Sequence, residues 1–433
     1  MQIRDHQGLE LSGASRFSAD AYRQAVHAYH CYAGEPFAPV DAAIADSPGF
    51  VMAYVLKAYM TLLGGSAETA AIGAEAFALA KDLPATRREQ GHLAAIGSLL
   101  AGEIRAAGRI LEDVSLEHPR DVLALQAGQL LDFLVGDSRN LRDRIGRALP
   151  AWSEGMPDHH AVLGMHAFGL EETALYDRAE AAGRRAVELE PRNNWAQHAV
   201  AHVLEMQDRR ADGIAWMRTE NAAWAPESML AVHNWWHLAL FHLGLGDVDS
   251  VLALYDGPIY GTPSDMTFDM VDAAALLWRL KLMGVEAGDR WARLAEVYAG
   301  TSRGQYAFDD AHAMMAFVGA GRADDAKAVL EAQAAAAAGP GDNALFAAEV
   351  GRPVCEALFA FGQGDYARAS DLLRGVRHRL QRFGGSHAQR DVFDLTLIEA
   401  ARRGGDQSLE RALRAERAAA NPLAPGRGVV LAA

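Results

Sequence analysis

Apolar residues recur along this chain at the three-to-four spacing of an amphipathic helix, and short polar breaks interrupt them at regular intervals. Most breaks are a Gly followed by an acidic residue or Arg: Gly102-Glu103, Gly136-Asp137, Gly246-Asp247, Gly321-Arg322, Gly364-Asp365 and Gly405-Asp406, with Tyr176-Asp177 and Gln207-Asp208 filling the series. Successive breaks lie 31 to 43 residues apart, except for one step of 75 that is two units long. One unit reads clearly. HAVLGMHAFGLEETAL is an apolar helix ending at Tyr176-Asp177, RAEAAGRRAVELE is an Ala-rich second helix, and Pro191 stops it because proline has no N–H to continue the ladder. No sustained alternation of Val, Ile and Thr occurs, so no sheet is expected.

A repeat of this length, with Gly at the turn and Ala packing the second helix, predicts an all-α fold of tetratricopeptide-like helical hairpins. The expectation is one repeat domain over residues 1–433, about nine to ten hairpins wound into a superhelical solenoid that can curl closed, with a frayed tail over 421–433. Irregular stretches are expected at Gly34–Pro48, Tyr255–Ser264 and Ala334–Asn343, where Gly, Pro and small residues cluster. In such a solenoid the first helices of successive hairpins line the concave side, so chemistry is sought there.

Charge narrows the partners. The chain carries 41 Lys+Arg against 56 Asp+Glu, a net charge of −15. Without a basic block it lacks the clustered cations that hold a phosphate backbone, so nucleic acid is not an expected partner. The two cysteines, Cys31 and Cys355, cannot build a disulfide framework or a Cys-based zinc site. The opening MQIRDHQGLELSG has no apolar run and no stretch of ~18 apolar residues follows, so a cytoplasmic protein without a membrane segment is expected.

Histidines are the unusual feature of the first helices. In WAQHAVAHVLEM, His198, His202 and Glu205 fall within about 60° on one stripe at ~100° per residue. The next first helix, MLAVHNWWHLALFHL, repeats the pattern with His233 and His237 four apart, beside Trp236. Imidazoles are costly to bury unless partnered, so two such pairs on neighbouring helices favour a polar site. The bland alternative is histidines bonded between helices, with Glu205 at a rim and the tryptophans packing the core. Two imidazoles and a carboxylate suit proton transfer or a divalent metal such as zinc. The spacing matches no established metal motif, so no cofactor is expected. Glu172, near an inter-helix turn, is a further candidate, as are Asp310 and His312 in FDDAHAMMAF and Gln389, Arg390 and Asp391 in GGSHAQRDVF. Arg390 could clamp an anion or pair with an acid between helices. Cys31, with His27 and His30 nearby, is a weaker thiol-nucleophile candidate. The signatures of serine hydrolases, P-loops and dinucleotide folds are missing.

These segments carry a resemblance. LELSGAS, TRREQ (Thr86–Gln90), FGLEE, YDRAE, HAVAHVLEM, HNWWHLAL, FDDAHAMMAF, GGSHAQRDVF and ERALRAERAAANPLAP, in this order and spacing, resemble the tetratricopeptide repeat protein 38 family nearly end to end. The resemblance implies tetratricopeptide-like helical repeats and brings no settled activity. It places His198, His202, Glu205, His233, Asn234, Trp236, His237, Asp310, His312, Gln389, Arg390 and Asp391 inside motif-like blocks. His166, His242 and His387 fit the pattern less well. The expected function is a small-molecule pocket with acid–base chemistry of the hydrolase, lyase or isomerase type. In it His202, His237, Glu205 and Asp391 are catalytic, and His198, His233, Trp236, Glu172, Asp310, His312, Gln389 and Arg390 bind substrate. The rival expectation is a non-catalytic scaffold taking a peptide or protein in its concave face, and a homo-oligomer fits either.

Overall fold

The structure, a computed structural model, describes residues 3–64, 67–219 and 221–420. Among these residues the chain is all-α, with two isolated bridges, Arg4 to Glu10 and Ala33 to Ser228, and no strand. The expected tail over 421–433 lies outside the described residues. No described helix is long and apolar enough to cross a membrane.

The helices pack as neighbouring pairs, and the turn chemistry explains the breaks in the sequence. Gly102, Gly136, Gly246, Gly321, Gly364 and Gly405 all take positive φ, from 70° to 78°, which ends the first helix of each pair in the left-handed conformation that glycine adopts without penalty. The residue after each glycine closes the turn with a backbone bond five residues back, as in Asp137 N–H to the Asp132 carbonyl at 2.9 Å and Asp365 N–H to the Ala360 carbonyl at 3.0 Å. The same aspartates then cap the second helix: the carboxylates of Asp137, Asp247, Asp365 and Asp406 accept from the backbone three residues on. Gly-Asp is therefore a stop and a start in two residues. Gly284, with φ of 78°, halves the 75-residue step. At the fifth pair the turn sits at Ala174, φ 59°, two residues before the break read at Tyr176-Asp177, and the second helix already begins at Tyr176 rather than at Arg178.

Two expectations change. Phe37–Asp46 is a helix inside the stretch read as irregular, and the poly-Ala segment belongs to a helix up to Ala337. At Tyr255–Ile259 the helix widens into a π-turn with a kink at Gly257.

The chain divides into two compact units, Met1–Val200 with Glu220–Ala231, and Ala201–Thr219 with Val232–Ala433. In the first unit, His159–Glu171 is buried at every residue from Gly164 to its end, whereas its partner Tyr176–Leu189 buries only Ala179, Gly183 and Ala186. In the second, Thr267–Leu282 is buried without a gap from Asp269 to Leu280. First helices are thus sandwiched and second helices expose one face. Polar side chains on first helices must find partners inside the protein.

The first unit shows how it satisfies them. The buried Arg88 guanidinium donates to Asp121 at 2.7 Å and to the Glu10 carbonyl at 2.7 Å. His92 Nε2 lies 3.0 Å from the same carboxylate, and Tyr59 hydroxyl 3.1 Å from His92 Nδ1. Glu89 completes a capping box with Thr86 and accepts from Ser12 N–H at 2.9 Å. Arg144 forks onto Asp132 at 2.7 and 2.9 Å.

Candidate active site

The second unit gathers a different polar group. The helix Ala231–Gly244 presents His233 and His237 on one face, since four residues is about one helical turn, and Asn194–Met206 contributes His202 from its C-terminal half. The His202 and His237 ring centres are 4.5 Å apart, those of His233 and His237 4.9 Å. All three rings are buried. A ring nitrogen of each lies within 4.8 Å of the others.

Asp272, on Thr267–Leu282, decides how His233 stands. Its two carboxylate oxygens lie 3.0 and 2.8 Å from His233 Nδ1, a forked arrangement that suits an N–H donating to a carboxylate. This arrangement favours the tautomer with its proton on Nδ1. Trp236 stacks on the His233 ring at 5.3 Å, 12° from parallel, and Phe268 packs against it at 4.7 Å. Burial pushes the Asp272 carboxyl up, against the opposing pull of His233 and Arg279. Burial, with the neighbouring His202, His233 and Arg279, holds His237 well below the usual imidazole range, so it is neutral.

Arg279 stands beside this group. Its guanidinium lies 5.4 Å from the Trp236 ring centre and donates to the Ala388 carbonyl at 2.7 Å and the Ala275 carbonyl at 3.2 Å. Burial lowers it to about 10, with Asp391 and Glu205 pulling the other way. Unlike Arg88 and Arg144, it makes no ion pair among the described residues. Asn234, fully buried, has neither amide atom hydrogen-bonded among the described residues, and the same holds for the Trp236 indole N–H and His312 Nε2.

The second unit therefore brings together His202, His233, Trp236 and His237, with His312, Glu205 and Asp391 reached through the field of Arg279. His312 donates Nδ1–H to the Phe308 carbonyl at 2.9 Å, and burial lowers it to about 4. Glu205 is only partly buried. Asp391 is held by a two-pronged ion pair from Arg417 and lines a cavity of about 210 Å³ with His387, Asp394 and Glu416.

Other expected residues have local duties. Gln389 is half of a capping box with Ser386, its side chain accepting from Ser386 N–H at 3.0 Å. Asp310 accepts from Gly304 N–H at 2.8 Å and Gln333 at 2.6 Å and pins the preceding loop. Arg390 donates to the Gly385 carbonyl and reaches His387 at 3.4 Å. His242 bonds Asp247 at 2.8 Å across its turn. His198 and Glu172 belong to the first unit, His198 packed against Trp195 and Phe168 at 5.1 and 5.4 Å, and Glu172 accepting from Ser138 at 3.4 Å.

Sequence reasoning missed Asp272 and Arg279, along with Asp269, whose carboxyl burial pushes up to about 6. A signal was present: positions 269, 272 and 279 share one stripe of an otherwise apolar helix.

A second group of ligand-type atoms, His27, Cys31 and His160, lies in the first unit. Burial pushes the Cys31 thiol up, which removes its promise as a nucleophile. Asn193 Oδ1 accepts from Ala196 N–H at 3.0 Å, so its amide nitrogen faces His160 Nδ1 at 3.1 Å. That lone pair is used and the ring proton sits on Nε2, the wrong polarity for a ligand.

Burial lowers His160, His166 and His312 to about 4 each. Below the unfolded value of about 6.5 the unfolded chain takes up protons that these rings refuse, so their contribution is present above that pH and is lost as pH falls toward 4. In an NMR titration these three rings should stay neutral through pH 5; titration of all three near 6.5 would contradict their burial.

No family model matches the chain. A chain from the solved structure of Naa15/Naa10 bound to HypK-THB is similar at 10% identity over 94% of this chain, with a TM-score of 0.27. This chain spans 64% of that chain's length. A likeness so distant bears on neither fold nor function.

Proposed function

We propose that this chain is a cytoplasmic tetratricopeptide-like repeat protein, akin to the tetratricopeptide repeat protein 38 family. It binds a small molecule at the His202, His233 and His237 cluster and acts on it by acid–base chemistry of the hydrolase, lyase or isomerase type. One observation supports this above the rest: His233 is fixed by Asp272 behind it and Trp236 beside it. A carboxylate that sets the tautomer of a histidine and stabilises its protonated form is how a general base is built. His237, neutral at physiological pH, can relay or return the proton. Arg279, a buried cation without an ion pair among the described residues, favours negative charge developing on the substrate.

The test is to release whatever small molecule co-purifies with the full chain by heat, identify it by mass spectrometry, and assay it and its close analogues for turnover. The expected result is a ligand whose binding or turnover is lost in His233→Gln, with helical content and melting temperature kept. Binding and turnover unaffected by that substitution would overturn the proposal, and capture of a peptide instead would favour the scaffold.

A further inference from the structure

We infer that His202, His233 and His237 form a binding site for a divalent transition-metal ion of the zinc type. Three imidazoles are a ligand set for zinc, cobalt, nickel and copper rather than for calcium or magnesium, which demand oxygen. His233 and His237 project from one helix face one turn apart, and His202 comes from a different helix, so the three converge from two rigid elements. Their nitrogens lie within 4.8 Å of one another. Tetrahedral ligands about 2.0–2.1 Å from zinc are ~3.4 Å apart, so the rings need to close in by only about an ångström.

Asp272 is the second observation. A histidine bound to metal through one nitrogen almost always donates its other N–H to a carboxylate or carbonyl, which orients the ring and raises its basicity. His233 does this, with both Asp272 oxygens within 3.0 Å of Nδ1. The group His27, Cys31 and His160 meets the same distance limit but faces an amide donor at His160, so proximity alone does not distinguish the two sites and this polarity does. Arg279 opposes a cation nearby, and the buried Asp272 carboxylate offsets it.

The metal inference involves the residues of the proposed function without depending on turnover. The experiment uses the full chain expressed without a histidine tag, dialysed, and analysed by elemental mass spectrometry. Chelator-stripped protein is then titrated with Zn²⁺ against a competing indicator. The expected result is about one equivalent of metal, lost in His233→Ala and His237→Ala, and an affinity weakened about 10–100-fold in Asp272→Asn, which keeps the shape of the side chain and guards against misfolding. His160→Gln should bind as the natural chain does. Sub-stoichiometric metal together with no Zn²⁺ uptake at micromolar concentration, or uptake that His233→Ala and Asp272→Asn leave unchanged, would overturn the inference. Protein that takes up no Zn²⁺ yet turns over its small molecule would overturn it while leaving the proposed function standing; a loaded protein that binds no small molecule would do the reverse.

Discussion

Asp272→Asn is expected to cut turnover of the bound small molecule by about 10²–10⁴-fold, the usual worth of a positioned acid–base group, while the melting temperature moves by only a few degrees. The two side chains have the same shape, so the core around Trp236 and Phe268 should stay packed. What changes is polarity. An Asn amide nitrogen facing His233 Nδ1 donates where the carboxylate accepted, which drives the ring proton to Nε2 and leaves the working nitrogen without a lone pair. Affinity for substrate should change far less than the rate, because Asp272 acts through His233. A residue serving only stability would show the opposite split, with turnover kept and melting lowered. Measuring kcat, KM and melting temperature on the same preparations separates the two.

Asp121→Ala is the substitution expected to cost most in stability. The carboxylate is buried, takes a charge-assisted bond from Arg88 and another contact from His92, and caps the helix Val122–Leu134 by accepting from Ala124 N–H at 3.0 Å. Removing it strands the buried Arg88 cation and frees the helix start. Breaking a buried ion pair costs about 3–5 kcal/mol and losing a cap about 1 kcal/mol. The first unit should therefore unfold at a markedly lower urea concentration. Burial alone would raise the Asp121 carboxyl, but His92 and Arg88 together hold it far below the ordinary carboxylate range. Its contribution is thus present above the unfolded value of about 4 and is lost as pH falls through the depressed folded value. In the variant that part of the acid sensitivity should vanish. Unfolding unchanged by the substitution would mean that Arg88 finds another partner.

The hairpin architecture was legible because its punctuation is local chemistry. Each Gly-Asp pair ends one helix and caps the next within two residues, so the repeat can be read without knowing what packs on what. Phe37–Asp46 was hidden for an equally local reason: Pro39 looks like a breaker, but it sits in the first turn, where its missing N–H has no intrahelical partner to lose. The i, i+4 histidines announced the cluster, since that spacing fixes a shared face. Asp272 and Arg279 did not announce themselves, because single polar residues in a long apolar helix gain meaning only from what lies opposite them. Gln389 and Asp310 show the reverse. Their residue types suit binding, and the backbone next to them claimed their hydrogen bonds first.

The most direct test of the central claim is the tautomer of His233, read by nitrogen-15 NMR of histidine-labelled full chain near pH 7.5 and assigned by loss of its signals in His233→Gln. Both the acid–base chemistry and the metal site require the proton on Nδ1, donated to Asp272, and a lone pair on Nε2. The expected spectrum shows a protonated Nδ1 and an unprotonated or metal-bound Nε2, reversed in Asp272→Asn. A proton found on Nε2 in the natural chain would contradict the claim, whatever small molecule the protein binds.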